Sequence, residues 1–162
     1  MPETTTVTNL STLGVKLYWA PESTAGTMPT TGYTFIPGIT SIPEMNPAPD
    51  NIDVTDLSQT EYKQSVPGLK DLGGALSFGA NLTDALISIW DGVISAYNSG
   101  ESTGKRVWFF VYIPKLSKSI AFPGTPSDQG LPAIEVNGAL QTNLYITPVA
   151  QPKYIAKITV TD

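Results

Sequence analysis

The sequence predicts a mainly β domain with one α-helix, an antiparallel β-sandwich or barrel with a flanking amphipathic helix and long extended loops. Three observations predict it. Leu76, Phe78, Ala80 and Leu82 alternate with Ser77, Gly79 and Asn81, the period of a strand with one face on a core. Residues 106–113, RVWFFVYI, are β-branched and aromatic almost throughout, as in a central strand covered on both faces. Between them, Leu86, Ile87, Ile89, Trp90, Val93, Ile94 and Tyr97 recur at helical spacing, opposite a polar stripe of Asp84, Ser88, Asp91, Ser95 and Asn98.

Residues 1–12 are rich in Thr, Ser and Asn and read as a flexible N-terminal arm. Leu13, Val15, Leu17 and Trp19 alternate with Lys16 and Tyr18, which predicts a half-buried strand over 13–19. The next stretch, 20–31, holds two prolines and a glycine among hydroxyl residues and reads as a long loop. Strand composition returns at 33–42, where Pro37-Gly38 implies an edge position or a bulge. Residues 43–74 read as a second long loop with short strands at 52–57 and 61–66. The triplets Ile36-Pro37-Gly38 and Val66-Pro67-Gly68 each join a fixed φ to a glycine, so each is expected to re-aim the chain sharply.

A strand at 76–82 leads to Thr83 as N-cap and Asp84 in the first turn of a helix over 84–98, ended by Asn98-Ser99-Gly100. The central strand at 106–113 stops at Pro114. Short strands are expected at 119–122 and 133–136, with the loop PGTPSDQGLP at 123–132 between them. The last two strands are 142–147 and 153–161, the latter alternating Tyr154, Ala156, Ile158 and Val160 against Lys157, Thr159 and Thr161.

At 162 residues the chain fits one domain with one core, and no added C-terminal domain is expected. Apolar residues make up 41% and charged residues 14%, against a usual charged share of about 25%. So little charge points to a surface partly covered by other subunits. A net charge of −5 argues against phosphate-neutralising contacts and hence against tight nucleic-acid binding. With neither cysteine nor histidine, disulfides, thiolate or imidazole zinc sites, cysteine nucleophiles and ordinary serine triads are excluded. The N-terminal MPETTTVTNL lacks the regions of a signal peptide and no run of 18 apolar residues occurs, so synthesis in a cytoplasm-like compartment without membrane insertion is expected.

Each chemistry-bearing candidate has an ordinary explanation. Gly100-Glu101-Ser102-Thr103-Gly104-Lys105 has one residue too few for a phosphate loop and runs from helix to strand, so it reads as a helix-ending turn. Asp50, Asp53 and Asp56 lack the alternate spacing of a calcium loop and read as a solvated acidic edge. Nothing selects a carboxylate pair from Glu44, Asp50, Asp53 and Glu61 for glycosidase chemistry. Asn9-Leu10-Ser11 and Asn81-Leu82-Thr83 fit the glycosylation pattern by coincidence, and Trp19, Trp90 and Trp108 read as core. No catalytic residue, cofactor or metal ligand is nominated.

Over 33–82 the residues resemble the major tail protein, or tail tube protein, of long-tailed, non-contractile phages. The matching elements are Phe35-Ile36-Pro37-Gly38-Ile39-Thr40-Ser41-Ile42-Pro43, Pro49-Asp50-Asn51-Ile52-Asp53-Val54-Thr55-Asp56-Leu57, Tyr62 through Val66-Pro67-Gly68-Leu69-Lys70-Asp71, and Gly73-Gly74-Ala75-Leu76-Ser77-Phe78 before the helix. The resemblance implies a β-sandwich that assembles as stacked hexameric rings around a lumen for DNA, in the virion, after synthesis in the host cytoplasm. It implies no enzymatic activity, and partners that are copies of itself and other tail proteins, such as the tape measure, tail terminator and distal tail proteins. The subunit-contact candidates are Ile36, Pro37, Gly38, Ile52, Val54, Leu57, Tyr62, Val66, Pro67, Gly68 and Leu69. A net-acidic conduit passes duplex DNA with weak, repulsive contact, so a negative lumen is expected. Rival readings are the tube of a contractile-tail or secretion-type particle, a carbohydrate-binding β-sandwich using Tyr18 or Tyr33, and, least favoured, an enzyme using carboxylates alone.

Overall fold

In a computed structural model, which describes residues 12–46, 48–71 and 74–160, the alternating segments pair as antiparallel strands. The strands are β1 (Lys16–Pro21), β2 (Thr34–Ile36), β3 (Ile39–Ser41), β4 (Ala48–Asp53), β5 (Ser65–Asp71), β6 (Leu76–Asn81), β7 (Val107–Tyr112), β8 (Lys118–Pro126), β9 (Gln141–Pro148) and β10 (Lys153–Ala156). One helix, α1 (Asp84–Glu101), is present among the described residues. The main sheet runs β2-β1-β7-β8-β9-β6-β3 with β10 beside β8, while β4 and β5 form a separate two-stranded sheet.

β2 and β3 lie at opposite ends of that order, yet only Pro37 and Gly38 separate them in the chain. The sheet therefore curls until its two edges meet at this corner, as a half-barrel. Gly38 has φ of 79°, and its carbonyl accepts a hydrogen bond from the Asn81 amide at 2.8 Å. A Cβ there would stand 3.2 Å from the Asn81 carbonyl oxygen, so the corner needs glycine twice over.

α1 covers the inside of the curl. Its first turn is capped by Thr83, whose Oγ1 accepts from the Leu86 amide at 3.2 Å, and it buries Leu86, Trp90 and Val93. From Trp90 a run of rings crosses the core: Trp90 to Phe109 of β7 at 6.3 Å, Phe109 to Phe122 of β8 at 5.7 Å, and Phe122 to Phe78 of β6 at 6.4 Å. The helix continues past Asn98-Ser99-Gly100. Gly100 is buried where a Cβ would lie 2.7 Å from the Lys105 carbonyl oxygen, and the left-handed residue of the turn is Gly104, at φ 71°.

The opposite face of β1, β7 and β8 is covered too. Tyr18, Ala20, Phe110 and Ala121 pack with Ile158, whose amide donates to the buried Ser119 hydroxyl at 3.3 Å. β1 is thus buried on both sides rather than half-buried, and it starts at Lys16 because Gly14 turns at φ 80° and Leu13 faces solvent. The central strand is as expected.

Several boundaries differ. β8 runs straight through Pro123 and Pro126, where a loop was expected. Its pairing with β10 ends at Ala121 and that with β9 begins at Gly124, so the missing N–H of Pro123 falls in the gap between partners. Residues 133–136 form no strand, and β10 ends at Ala156 with Tyr154 and Ala156 exposed, opposite to the predicted phase. Hydrogen bonding to Ser119, not strand pairing, holds the chain beyond β10 at Ile158. Residues 1–11, including Asn9-Leu10-Ser11, and Gly73 and Thr161 lie outside the described residues.

The second expected long loop contains the β4–β5 hairpin, with strands shifted from 52–57 and 61–66 to Ala48–Asp53 and Ser65–Asp71. Val66-Pro67-Gly68 is not a turn between strands but lies within β5. Asn51 opposes Pro67 and Pro49 opposes Lys70, leaving Asp50 against both Gly68 and Leu69, a bulge. The alternating pattern extends through Pro67 because a two-stranded ribbon leaves each strand an unpaired edge on which proline costs no ladder bond.

Candidate functional site

The hairpin makes its own tip. Val54 N donates to the Gln64 carbonyl at 2.9 Å, and Gln64 N donates to Thr55 Oγ1 at 2.8 Å. Asp53 Oδ1 accepts from the Thr55 amide and Asp56 Oδ1 from the Ser58 amide, both at 2.9 Å, with the Ser58 hydroxyl also bonded to Asp56. Hydrogen bonds from Thr55 and Ser58 hold the two carboxyls below their usual 3.8. These carboxylates are engaged in turns, and no group of three or more metal-ligating side chains exists among the described residues.

On this ribbon, among the described residues, the apolar side chains pack on neither core cluster. Leu57 is 104% exposed, Leu69 87% and Tyr62 79%, with Ile52, Val54 and Val66 about half exposed and Ile52 paired with Val66. None of them belongs to either core cluster. Asp50, Asp53, Asp56 and Glu61 are exposed among them. Of the sequence-nominated contact residues, Ile52, Val54, Leu57, Tyr62, Val66, Pro67, Gly68 and Leu69 therefore come together on one hairpin. Ile36 is buried in the main core, and Pro37 and Gly38 form the half-buried corner of the barrel rather than part of the hairpin.

Sequence reasoning missed a second exposed apolar stretch. The 127–140 loop joining β8 to β9 exposes Leu131, Ile134, Val136 and Leu140, and Leu140 is fastened to Leu82 through its carbonyl. It also missed Glu22. This side chain is 3% exposed; Oε1 accepts from the amides of Arg106 at 2.6 Å and Gly26 at 3.3 Å, and Oε2 accepts from Trp108 Nε1 at 3.1 Å. Arg106 Nε lies 3.5 Å away. Burial pushes the carboxyl up, but the Arg106 amide, the Trp108 indole, the Gly26 amide and the Arg106 charge outweigh it and hold it below its usual 4.5. The carboxylate clamps the end of β1 to the start of β7; a lone Glu after a predicted strand gave no signal of this.

The remaining candidates settle into structural roles. Residues 100–105 are the end of α1 and its turn, with Lys105 N bonded to the Gly100 carbonyl at 2.9 Å. Glu44 accepts from Asn46, and Asn81 accepts from Gln141. Trp90 is buried with its indole donating to the Ser127 carbonyl at 2.9 Å, while Trp19 and Trp108 pack on the two core clusters. Tyr18 is buried and presents no open face to a sugar, while Tyr33 is half-buried with its ring 4.8 Å from that of Phe110 in an edge-to-face arrangement. No described helix is long and apolar enough to cross a membrane.

Comparison with solved structures finds the same fold in sixfold particles. A chain of the anti-feeding prophage (AFP) baseplate, from a 6-fold symmetrised cryo-EM structure, superposes with TM-score 0.59 at 9% identity, over 88% of this chain and 92% of that one. A chain from the tail of an empty GTA particle, refined helically with C6 symmetry, gives TM-score 0.54 at 14% identity, over 88% and 96%. No protein-family model and no curated protein matches the sequence.

Proposed function

We propose that this chain is a structural, non-enzymatic subunit of a phage tail or tail-like particle, self-assembling into stacked hexameric rings that form the tube through which DNA is delivered. The observation that carries this reading is the β4–β5 hairpin, an ordered ribbon whose large apolar side chains are exposed on a chain that otherwise buries its aromatic core. Exposed apolar surface of this kind marks an interface. The fold shared with chains of a sixfold baseplate and a C6 tail supports the ring, as does the low charge of the sequence.

The subunit contacts are assigned to Ile52, Val54, Leu57, Tyr62, Val66, Pro67, Gly68 and Leu69, with the corner at Pro37 and Gly38 shaping the barrel that carries them. The chain is a single tail tube domain in the virion, made in the host cytoplasm, with the lumen negative and DNA passing without specific binding. A sheathed tube, as in a contractile-tail or secretion-type particle, uses the same ring geometry. Electron microscopy of the concentrated purified protein tests the reading: hollow tubes or sixfold rings are expected, and a persistent monomer at high concentration contradicts it.

A further inference from the structure

An apolar groove of about 500 Å³ opens at the root of the hairpin. Val15, Met45, Ile113 and Leu116 line it, and Lys115 and Lys153 stand on its rim. Val15, Met45 and Ile113 also pack on the main core, so among the described residues the groove is an uncovered margin of that core. Lys115 and Lys153, like Lys118 in the neighbouring depression, make no ion pair among the described residues.

The hairpin carries the complement: Leu57, Glu61 and Tyr62 are exposed at its tip and Asp50 is exposed further back along β4, and among the described residues neither acid is ion-paired. It does not fill its own groove. Six residues of β4 carry the tip roughly 20 Å from the root, and Asn46, just before β4, is as far into the hairpin as the groove lining reaches. Resting on the assembly reading above, we propose that the hairpin tip of one copy seats in this basic-rimmed groove of a second copy, Leu57 and Tyr62 against the apolar floor and the hairpin acids against Lys115 and Lys153. The pairing is heterologous, so it propagates from copy to copy and closes when the rotation allows. The apolar 127–140 loop is the alternative acceptor; its charged residues, Asp128 and Glu135, carry the same sign as the hairpin.

The cysteine-free chain allows a direct test. Full-length Leu57→Cys protein is mixed with Leu116→Cys protein, assembled, and treated with bismaleimidoethane; linked dimers containing one copy of each variant are expected. A mixture of Leu57→Cys with Leu131→Cys is expected to give none. Linkage to Leu131→Cys instead, or assembled particles with no linkage to Leu116→Cys, overturns the pairing while leaving assembly intact; failure of the wild type to assemble overturns the assembly reading and the pairing with it. Independently, Lys115→Glu/Lys153→Glu is expected to raise the concentration needed for half-assembly about tenfold, and combination with Asp50→Lys/Glu61→Lys to restore it. Unchanged assembly in the lysine variant contradicts the pairing.

Discussion

The half-barrel and the β4–β5 hairpin use the same kinds of residue to opposite ends. In the half-barrel, Leu17, Phe78, Phe109 and Phe122 disappear into a core closed by α1. In the hairpin, Ile52 and Val54 alternate with polar residues just as a buried strand would, yet these two, like Leu57, Tyr62 and Leu69, are exposed and no layer covers them among the described residues. Periodicity reports that a face is apolar; topology decides whether that face meets its own chain or another. The proposed function gives stability to the half-barrel and assembly to the hairpin, and substitutions can separate the two.

The largest stability effect is expected at the centre of the half-barrel. Trp90→Ala removes the ring at one end of the aromatic run and its bond to Ser127, and should cost about 3–5 kcal/mol in urea unfolding. Next comes Glu22→Gln, which places an amide among donors arranged for a carboxylate, at about 1.5–3 kcal/mol. Because the folded carboxyl lies below its usual 4.5, its contribution is fully present above that pH and is lost as the pH falls through the folded value. The stability gap between wild type and Glu22→Gln should therefore be flat near neutrality and narrow below pH 4.5, a profile that thermal melts across pH will display.

Gly100→Ala tests whether the glycine serves close approach rather than a left-handed turn. Its Cβ would meet backbone at 2.7 Å, so a loss of about 1–3 kcal/mol is expected, whereas a neutral outcome would show that the 102–105 turn gives way. The smallest effect on folding belongs to the hairpin. Leu57→Ser/Leu69→Ser should move the unfolding free energy by no more than about 0.5 kcal/mol, because neither side chain packs on the core.

The half-barrel was largely legible in the sequence. Alternation placed β6, unbroken apolarity placed β7, Thr83 with the helical spacing placed α1 to within three residues of its end, and β9 lies within one residue at each end of the strand expected over 142–147. What escaped depends on partners distant in the chain. Pro123 reads as a loop residue unless one knows that β8 changes partners beside it, and Val66-Pro67-Gly68 reads as a turn unless β4 is known to lie opposite. Glu22 is legible only once Arg106 and Trp108 are beside it. The contact candidates rest on the two Pro-Gly triplets, the acidic segment between them and the resemblance over 33–82, and the first two signals are local. Ile36 belongs to the first triplet but points into the core, because β2 closes the sheet next to β1.

The division of labour is tested most directly by imaging wild type and Leu57→Ser/Tyr62→Ser/Leu69→Ser side by side by electron microscopy, with melting temperatures measured on the same samples. The expected result is rings or tubes for wild type, dispersed monomer for the variant, and matching melting temperatures for the unassembled chains. Tubes formed as readily by the variant as by the wild type would contradict it.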